Sequence, residues 1–179
     1  MADMAYDYRW KVLLLGDSGG GKTNIISQFT EGKFDANSKP TMGMKPIYKM
    51  VQCNSKTIKT AIWDAASREH YRCSIMNTPY YTDCAAAMIV YDITSRLSYE
   101  NASRWLDEVR DHVDDDTVIM LVGNKTDLNH KRVVKTEEAK RFADEKGLLY
   151  IETSALSKDQ VDAVFGTILD GVYKQQCKS

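Results

Sequence analysis

The amino-acid sequence predicts an α/β domain with a mostly parallel six-stranded sheet, one antiparallel edge strand and helices on both faces. Four apolar runs recur along the chain, at residues 12–15, 86–91, 118–122 and 148–151. Unbroken apolar runs of this length are typical of parallel strands buried on both faces. Two further segments have helical spacing, each with one apolar stripe. The first stripe contains Ala102, Trp105, Leu106, Val109 and Val113, and the second contains Val161, Val164, Phe165, Ile168, Leu169, Val172 and Tyr173.

The remaining two strands form a predicted β-hairpin. Ile47–Cys53 and residues 57–64 follow each other with no helical segment between them. Asn54 and Ser55 separate them, and both residue types favour turns because their side chains hydrogen-bond to the local backbone. This hairpin supplies the antiparallel edge strand. Ligands bind such sheets at the carboxyl ends of the strands, so functional residues are expected there.

The chain has the size and composition of one globular domain. It has 179 residues, of which 43% are hydrophobic and 27% are charged. We expect a single domain over residues 1–179, with a core of about 8–175 and short flexible ends. The net charge of −1 gives no electrostatic argument for nucleic acid or for a membrane surface as a partner.

Cysteine usage and the chain ends predict a cytoplasmic location. The four cysteines form no Cys-x-x-Cys pair and the three histidines do not cluster with them, so we expect reduced thiols and no zinc site. The N-terminus lacks the basic and apolar regions of a signal peptide, and Ala2 excludes the myristoylation pattern. Cys177 lies too close to the end for a prenylation box, so no lipidated tail is evident.

A phosphate-binding loop is predicted at residues 16–23, which read Gly-Asp-Ser-Gly-Gly-Gly-Lys-Thr. This segment fits the pattern Gly-x-x-x-x-Gly-Lys-Ser/Thr and lies between an apolar run and a segment, 24–29, that can continue as a helix. Glycines let backbone N–H groups approach a polyphosphate, and a helix N-terminus favours anions. Lys22 can reach the β- and γ-phosphates, and the Thr23 hydroxyl can ligate Mg²⁺. The alternative is an ordinary glycine-rich turn.

A guanine-binding residue is predicted after the run 118–122, where the chain continues Gly-Asn-Lys-Thr-Asp. The Asp127 carboxylate can accept two hydrogen bonds side by side, and guanine offers a matching pair of N–H donors. Adenine offers no such pair, so Asp127 would select GTP over ATP. Asn124 would tie this loop to the phosphate-binding loop, and the stem of Lys125 could lie along the base. Asn-x-x-Asp also occurs in plain turns, which is the alternative.

With these motifs the sequence resembles the Rab family of Ras-like small GTPases, from Tyr6 to about Gln175. Segments 16–19, 121–127 and 152–155 are Rab-like, as are the pair at 80–81 and the run 90–94. Residues 99–112 are similar to the Rab branch associated with recycling endosomes. The resemblance implies a P-loop small-GTPase fold that binds GTP and GDP with Mg²⁺. It also implies a molecular switch in vesicular membrane traffic, held on the cytosolic face of endomembranes where a prenylated tail exists.

The resemblance assigns further roles, residue by residue. Thr41 matches the switch I threonine that ligates Mg²⁺ in the GTP state, and Asp64 matches the carboxylate that holds Mg²⁺ through water. Phe34 matches the aromatic residue that packs on guanine, and Ala155 would meet the guanine oxygen. The expected Mg²⁺ ligands are Thr23, Thr41 and Asp64. The expected nucleotide-binding residues are Ser18, Gly19, Gly20, Gly21, Lys22, Thr23, Asn24, Phe34, Thr41, Asn124, Lys125, Asp127, Ser154, Ala155 and Leu156.

Switch II departs from the family pattern. Residues 63–69 read Trp-Asp-Ala-Ala-Ser-Arg-Glu, where the family usually has Trp-Asp-Thr-Ala-Gly-Gln-Glu. Arg68 replaces the glutamine that orients the attacking water, and a guanidinium has no acceptor. Ser67 replaces a glycine, and its Cβ restricts the backbone. We therefore expect slow intrinsic GTP hydrolysis. The expected catalytic residues are Lys22, Thr41, Ser67 and Arg68.

Three hypotheses for this departure remain open. In the first, Arg68 is a surface charge and the protein is a slow GTPase, switched mainly by exchange and by partners. In the second, Arg68 touches the γ-phosphate as a built-in arginine finger. In the third, the domain is an interaction module that holds nucleotide weakly or structurally, and hydrolysis does not control its partners.

Partner proteins are expected at switch I, at Trp63 between the switches and at Tyr80 of switch II. Trp63 and Tyr80 match two members of an exposed aromatic triad of the family, and Pro46 replaces the third. Exposed aromatic residues are good interface anchors. Effectors, exchange factors and activating proteins are therefore the expected partners, and the usual effectors are expected to bind poorly. The alternative is that the changes at these positions are neutral surface drift.

Overall fold

A computed structural model describes residues 4–37, 46–64 and 80–177. Its six strands are β1 Tyr8–Leu15, β2 Ile47–Cys53, β3 Lys56–Asp64, β4 Cys84–Asp92, β5 Val118–Asn124 and β6 Leu149–Glu152. The α-helices in these ranges are α1 Lys22–Glu31, α2 Arg96–Glu100, α3 Ala102–His112, α4 Thr136–Lys146 and α5 Lys158–Gln176, and a 3₁₀ helix spans Thr126–Lys131. No helix in these ranges is long and apolar enough to cross a membrane.

The strands form one six-stranded sheet in the order β2-β3-β1-β4-β5-β6. The pair β2 and β3 is antiparallel, and all other pairs are parallel, as the sequence predicts. Asn54 and Ser55 turn the hairpin with φ values of 50° and 63°. Positive φ at both central residues is typical of the two-residue turns whose twist matches that of the strands. The predicted α/β fold class is therefore confirmed.

Two apolar cores lie on opposite faces of the sheet. Helices α1 and α5 pack on one face, and α3 and α4 pack on the other. Both predicted helical stripes are confirmed as core-facing, and Val113 and Tyr173 at their ends are partly buried. Strand β4 is buried along almost its whole length, which explains its unbroken apolar run.

Strand β1 begins at Tyr8, earlier than the apolar run at residue 12 predicts. Its first half alternates between the faces of the sheet, because Trp10 is buried whereas Arg9 is exposed. The sequence predicts neither the 3₁₀ helix nor the helices α2 and α4. The 3₁₀ helix and α2 are short, with 6 and 5 residues. Helix α4 is as long as α3, but its buried residues are only the two small side chains Ala139 and Ala143, so its apolar stripe is weak.

Candidate functional site

The loop at residues 16–23 connects β1 to α1 and crosses the carboxyl end of β4. Gly16 has a φ of +136°, and a Cβ atom there would come within 2.1 Å of the carbonyl oxygen of Val90. Gly21 has a φ of +97°, and a Cβ atom there would come within 2.2 Å of Asn124 Nδ2. Only glycine fits these two positions, so the path of the loop depends on them.

Lys22 begins α1 and places its ammonium group inside the loop. The residue is 2% exposed. Its Nζ donates to the carbonyl oxygen of Gly16 at 2.6 Å and to that of Asp17 at 2.8 Å. A buried positive charge therefore lies beside a helix N-terminus, whose dipole also favours anions. This arrangement suits an oligophosphate.

Two of the three expected magnesium ligands lie together. Thr23 Oγ1, in the first turn of α1, donates to Asp64 Oδ2 at the end of β3, at 2.8 Å. A hydroxyl and a carboxylate are the hard oxygen donors that Mg²⁺ prefers, so these residues fit the ion. The third expected ligand, Thr41, lies outside the described residues, as do Ser67 and Arg68.

The loop after β5 is bound to the phosphate-binding loop by two side chains. Asn124 is 1% exposed, and its Nδ2 donates to the carbonyl oxygen of Gly20 at 2.8 Å. Lys125 has a φ of 72°, and its Nζ donates to the carbonyl oxygen of Gly19 at 2.8 Å. Asn124 Oδ1 is buried without a hydrogen-bond partner in the described part of the chain. A polar atom of this kind favours a ligand beside it, because an unmade buried hydrogen bond is costly.

A third loop, after β6, contacts Asp127. Ser154 Oγ donates to Asp127 Oδ1 at 2.8 Å and accepts the backbone N–H of Leu156 at 3.2 Å. The carbonyl oxygen of Ala155 accepts a hydrogen bond from Gln28 Nε2 of α1 at 2.9 Å. The loops after β1, β5 and β6 therefore meet at one edge of the sheet.

These loops surround a cleft of about 410 Å³. Most of the expected nucleotide-binding residues line it, namely Ser18, Gly19, Gly21, Lys22, Thr23, Asn24, Phe34, Asn124, Lys125, Asp127 and Ala155. Three expected residues, Gly20, Ser154 and Leu156, do not line it. Gly20 and Ser154 are hydrogen-bonded to the lining residues Asn124 and Asp127, and Leu156 contacts Ser154. Phe34 is 42% exposed, so it is not an ordinary core residue. Asn24 and Asp35 exchange two hydrogen bonds of 3.0 Å, which fix the segment that carries Phe34.

Asp92 supports the cleft and was not predicted. Its Oδ2 lies 2.9 Å from Lys125 Nζ, and its Oδ1 accepts from the backbone N–H and the hydroxyl of Thr94. Burial raises the pKa of the Asp92 carboxyl, but the hydrogen bonds from Thr94 and Lys125 outweigh it and leave the pKa below its ordinary value. Asp92 therefore stays charged and holds Lys125. A carboxylate at the carboxyl end of a central strand is the signal that could have found it.

Asp17 was also missed, although it lies inside the phosphate-binding motif. Its Oδ2 accepts from Asn101 Nδ2 at 2.6 Å, and its Oδ1 accepts from Trp105 Nε1 at 2.9 Å. Both donors lie more than 80 residues away in the chain, so no local pattern predicts the contact. Helix α3 thereby fixes the phosphate-binding loop from outside.

Tyr80 corrects one expectation about the partner surface. It is 1% exposed, whereas the sequence predicts an exposed ring. Its ring lies edge-on to Trp63 at 6.0 Å and to Tyr81 at 5.1 Å, and Tyr81 stacks on His112 of α3. Two consecutive tyrosines thus fill the space between the sheet and α3. Trp63, which is partly buried, remains at the surface.

The chain matches the protein-family model described as the Ras family over residues 11–174, which is nearly its whole length. The match includes the three loops that surround the cleft. With its P-loop and six-stranded mixed sheet, the chain belongs to the Ras family and is a Ras-like small GTPase.

Proposed function

We propose that this chain is a Rab-like GTPase that switches between GTP and GDP in vesicular membrane traffic. The Rab-like segments 121–127 and 152–155, and the similarity of residues 99–112 to the recycling-endosome branch, support this role. The proposed switch is one domain over residues 1–179. Its proposed location is the cytoplasm, on the cytosolic face of endomembranes where a prenylated tail exists.

The hydrogen bonds between the loops around the cleft are the observation that best supports nucleotide binding. Gly19 and Gly20 offer their carbonyl oxygens to Lys125 and Asn124, so the phosphate and base subsites keep a constant spacing. In this proposal Ser18, the glycines and Lys22 bind the phosphates. Asp127 accepts the two guanine N–H groups, with Ser154 holding one of its oxygens.

Magnesium is proposed as the cofactor, with Thr23, Thr41 and Asp64 holding it. When bound, a divalent cation would supply positive charge to offset the negative charge that develops on the phosphates during phosphoryl transfer. Thr23 and Asp64 are already within hydrogen-bond distance. Thr41 would join them in the GTP state, and its release after hydrolysis would free switch I.

Slow intrinsic hydrolysis is proposed because Ser67 and Arg68 stand where the family usually has glycine and glutamine. Arg68 cannot accept a hydrogen bond from the attacking water, so it cannot orient it. Ser67 retains an N–H for the γ-phosphate, but its Cβ restricts the backbone change that accompanies switching. Exchange factors, effectors and activating proteins would then set the state of the switch.

Single-turnover GTP hydrolysis tests this proposal. The nucleotide that co-purifies is identified first, and rates with Mg²⁺ are then compared for the wild type, Arg68→Gln and the double variant Ser67→Gly/Arg68→Gln. We expect slow turnover that the double variant accelerates at least tenfold, on the order expected for one positioned catalytic group. Arg104→Gln, an exposed arginine of α3, is the matched control.

Two outcomes would contradict the proposal. Fast wild-type turnover that Arg68→Gln abolishes would assign Arg68 as a built-in arginine finger. The lack of bound guanine nucleotide, together with no acceleration in the double variant, would favour the interaction module.

A further inference from the structure

One face of the strands β1, β2 and β3 carries basic side chains over aromatic rings. We call this surface the cationic face. It consists of Tyr6, Arg9, Lys11, Tyr48, Lys59 and Trp63. It lies on the sheet face opposite to α1 and α5, at the end of the sheet beyond α3.

Two like charges are direct neighbours on this face. Arg9 of β1 is the register partner of Lys59 of β3. Like charges at directly opposed positions of neighbouring strands destabilise a sheet. In the described ranges neither Arg9 nor Lys59 forms an ion pair. Their positive charges therefore add at one place on the surface.

Aromatic rings lie beside these cations. Lys59 Nζ lies 5.0 Å from the ring centroid of Tyr48 and 5.5 Å from that of Tyr6. Arg9 Nη2 donates to the Tyr48 hydroxyl at 3.0 Å. The rings are themselves open to solvent, since Tyr6 is 42% exposed and Tyr48 is 47% exposed. A partner can thus contact charge and aromatic surface together.

Lys11 extends the same surface toward Trp63. Its Nζ lies 4.6 Å from the Trp63 ring centroid and donates to the carbonyl oxygen of Thr82 at 3.2 Å. This places a cation over the aromatic residue at which partners are proposed to bind.

No carboxylate of β1, β2 or β3 lies among these cations. Asp64 belongs to these strands, but it contacts Thr23 on the other face. Asp7 flanks the face and accepts the backbone N–H of Thr57 at 2.7 Å. Asp83 lies at its other end, near Lys11. The chain has a net charge of −1, so this local excess of positive charge is a property of the face and not of the molecule.

We propose that the cationic face binds an acidic segment of a partner protein, with carboxylates at Arg9 and Lys59 and an apolar or aromatic side chain against Tyr48. The proposal rests on the proposed switch function and adds a partner chemistry to its Trp63 surface. Charge complementarity favours this occupant because it relieves the repulsion between Arg9 and Lys59. An anionic membrane is less well matched, since membrane-binding basic clusters usually contain about 4–8 cations.

Binding of a fluorescein-labelled hexaglutamate peptide tests the proposal, measured by fluorescence anisotropy with the GDP-loaded protein. Two-dimensional NMR of the same titration locates the peptide even when its affinity is weak. We expect shifts at Arg9, Tyr48 and Lys59, and affinity that falls as salt rises. The double variant Arg9→Gln/Lys59→Gln should bind about tenfold more weakly, given the usual strength of exposed ion pairs. Lys56→Gln is the matched control, because Lys56 is an exposed lysine of β3 on the opposite face.

Hexalysine and vesicles of equal parts phosphatidylcholine and phosphatidylserine complete the test. No peptide binding, or equal binding by the double variant and the wild type, would overturn the proposal. Vesicle binding that the double variant loses, without peptide binding, would assign the face to a membrane instead. GDP affinity is measured on the same samples, so a failure of the nucleotide switch is seen separately from a failure of the cationic face.

Discussion

The Asp17 side chain is the point at which helix α3 fixes the phosphate-binding loop. Its two carboxylate oxygens each accept one hydrogen bond, from Asn101 and from Trp105. Its backbone carbonyl oxygen accepts from Lys22 Nζ. Hydrogen bonds to charged groups contribute about 1.5–3 kcal/mol each. The position of the Lys22 ammonium therefore depends on residues of the neighbouring helix.

Trp105→Phe is expected to accelerate GDP release about tenfold. The variant keeps a large aromatic ring in the core and removes the indole N–H, so Asp17 loses one of its two donors. If the lost hydrogen bond contributes about 1.4 kcal/mol to holding the loop in its nucleotide-bound position, its removal raises the rate of GDP release about tenfold. Release of a fluorescent GDP analogue measures the rate.

Trp10→Phe is the matched control for this variant. Trp10 is also buried, and its indole N–H donates to Gln176 at 3.0 Å, far from the cleft. Its GDP release rate should equal that of the wild type. Equal acceleration in both variants would show that general loosening, and not the Asp17 contact, causes the effect.

Asp127→Asn is expected to weaken GDP affinity by on the order of a hundredfold and to leave the affinity for ATP unchanged. An amide presents one acceptor and one donor, so one guanine N–H would face another N–H. Mispaired polar groups in a closed site are strongly rejected. Competition of GDP and ATP for a labelled guanine nucleotide measures both affinities. Asp144→Asn, an exposed position on α4, should change neither, and unchanged GDP affinity in Asp127→Asn would remove Asp127 from the base site.

At the scale of elements, one ion pair joins the 3₁₀ helix, α4 and β6 beside the third loop of the cleft. Arg132 makes two hydrogen bonds of 2.9 Å to the carboxylate of Glu152, at the end of β6. Thr136, the first residue of α4, and Tyr150 donate to the same carboxylate at 2.9 Å and 2.7 Å. The loop that carries Ser154 and Ala155 starts directly after this pair. Its position therefore depends on four side chains outside the cleft.

Glu152→Gln is expected to lower the free energy of unfolding by about 2 kcal/mol at pH 7. Burial raises the pKa of the Glu152 carboxyl, but hydrogen bonds from Arg132, Tyr150 and Thr136 outweigh it and hold the pKa below its ordinary value. Because the folded-state pKa is the lower one, this contribution is complete above about pH 4.3 and is lost as the pH falls through the folded value. Urea unfolding at neutral and acidic pH should show the difference between wild type and variant shrinking in acid.

Glu138→Gln is the matched control, since Glu138 pairs with Arg96 at the surface. Exposed pairs contribute at most about 1 kcal/mol. A control that loses as much stability as Glu152→Gln would contradict a special role for the Arg132–Glu152 pair.

At the scale of the whole molecule, the sequence predicts the elements whose residues follow from burial or from local turn preferences. The central strands are apolar because both of their faces are covered, and the hairpin follows from its turn residues. The sequence does not predict contacts between distant residues. Asp17 and Trp105, for example, meet only because the folded sheet brings their elements together. The burial of Tyr80 has the same origin, since its ring lies edge-on to Trp63 of β3, a residue distant in the chain.

Because three loops meet at one cleft, we expect the free energy of unfolding to depend on bound nucleotide. A ligand that binds only the folded state at a hundredfold excess over its Kd stabilises it by about 2.7 kcal/mol. For a domain of 179 residues this raises the Tm by about 5–10 °C.

We expect this rise in Tm when GDP and Mg²⁺ are added to nucleotide-free protein. We expect no rise with ATP, because adenine does not offer the pair of N–H donors that the Asp127 carboxylate is proposed to accept. EDTA should reduce the GDP-induced shift, since Thr23 and Asp64 are proposed to bind Mg²⁺. Thermal unfolding followed by circular dichroism measures all three conditions. A Tm that GDP leaves unchanged would mean that the three loops hold one another without a ligand, and the interaction module would then be the better account of this member of the Ras family.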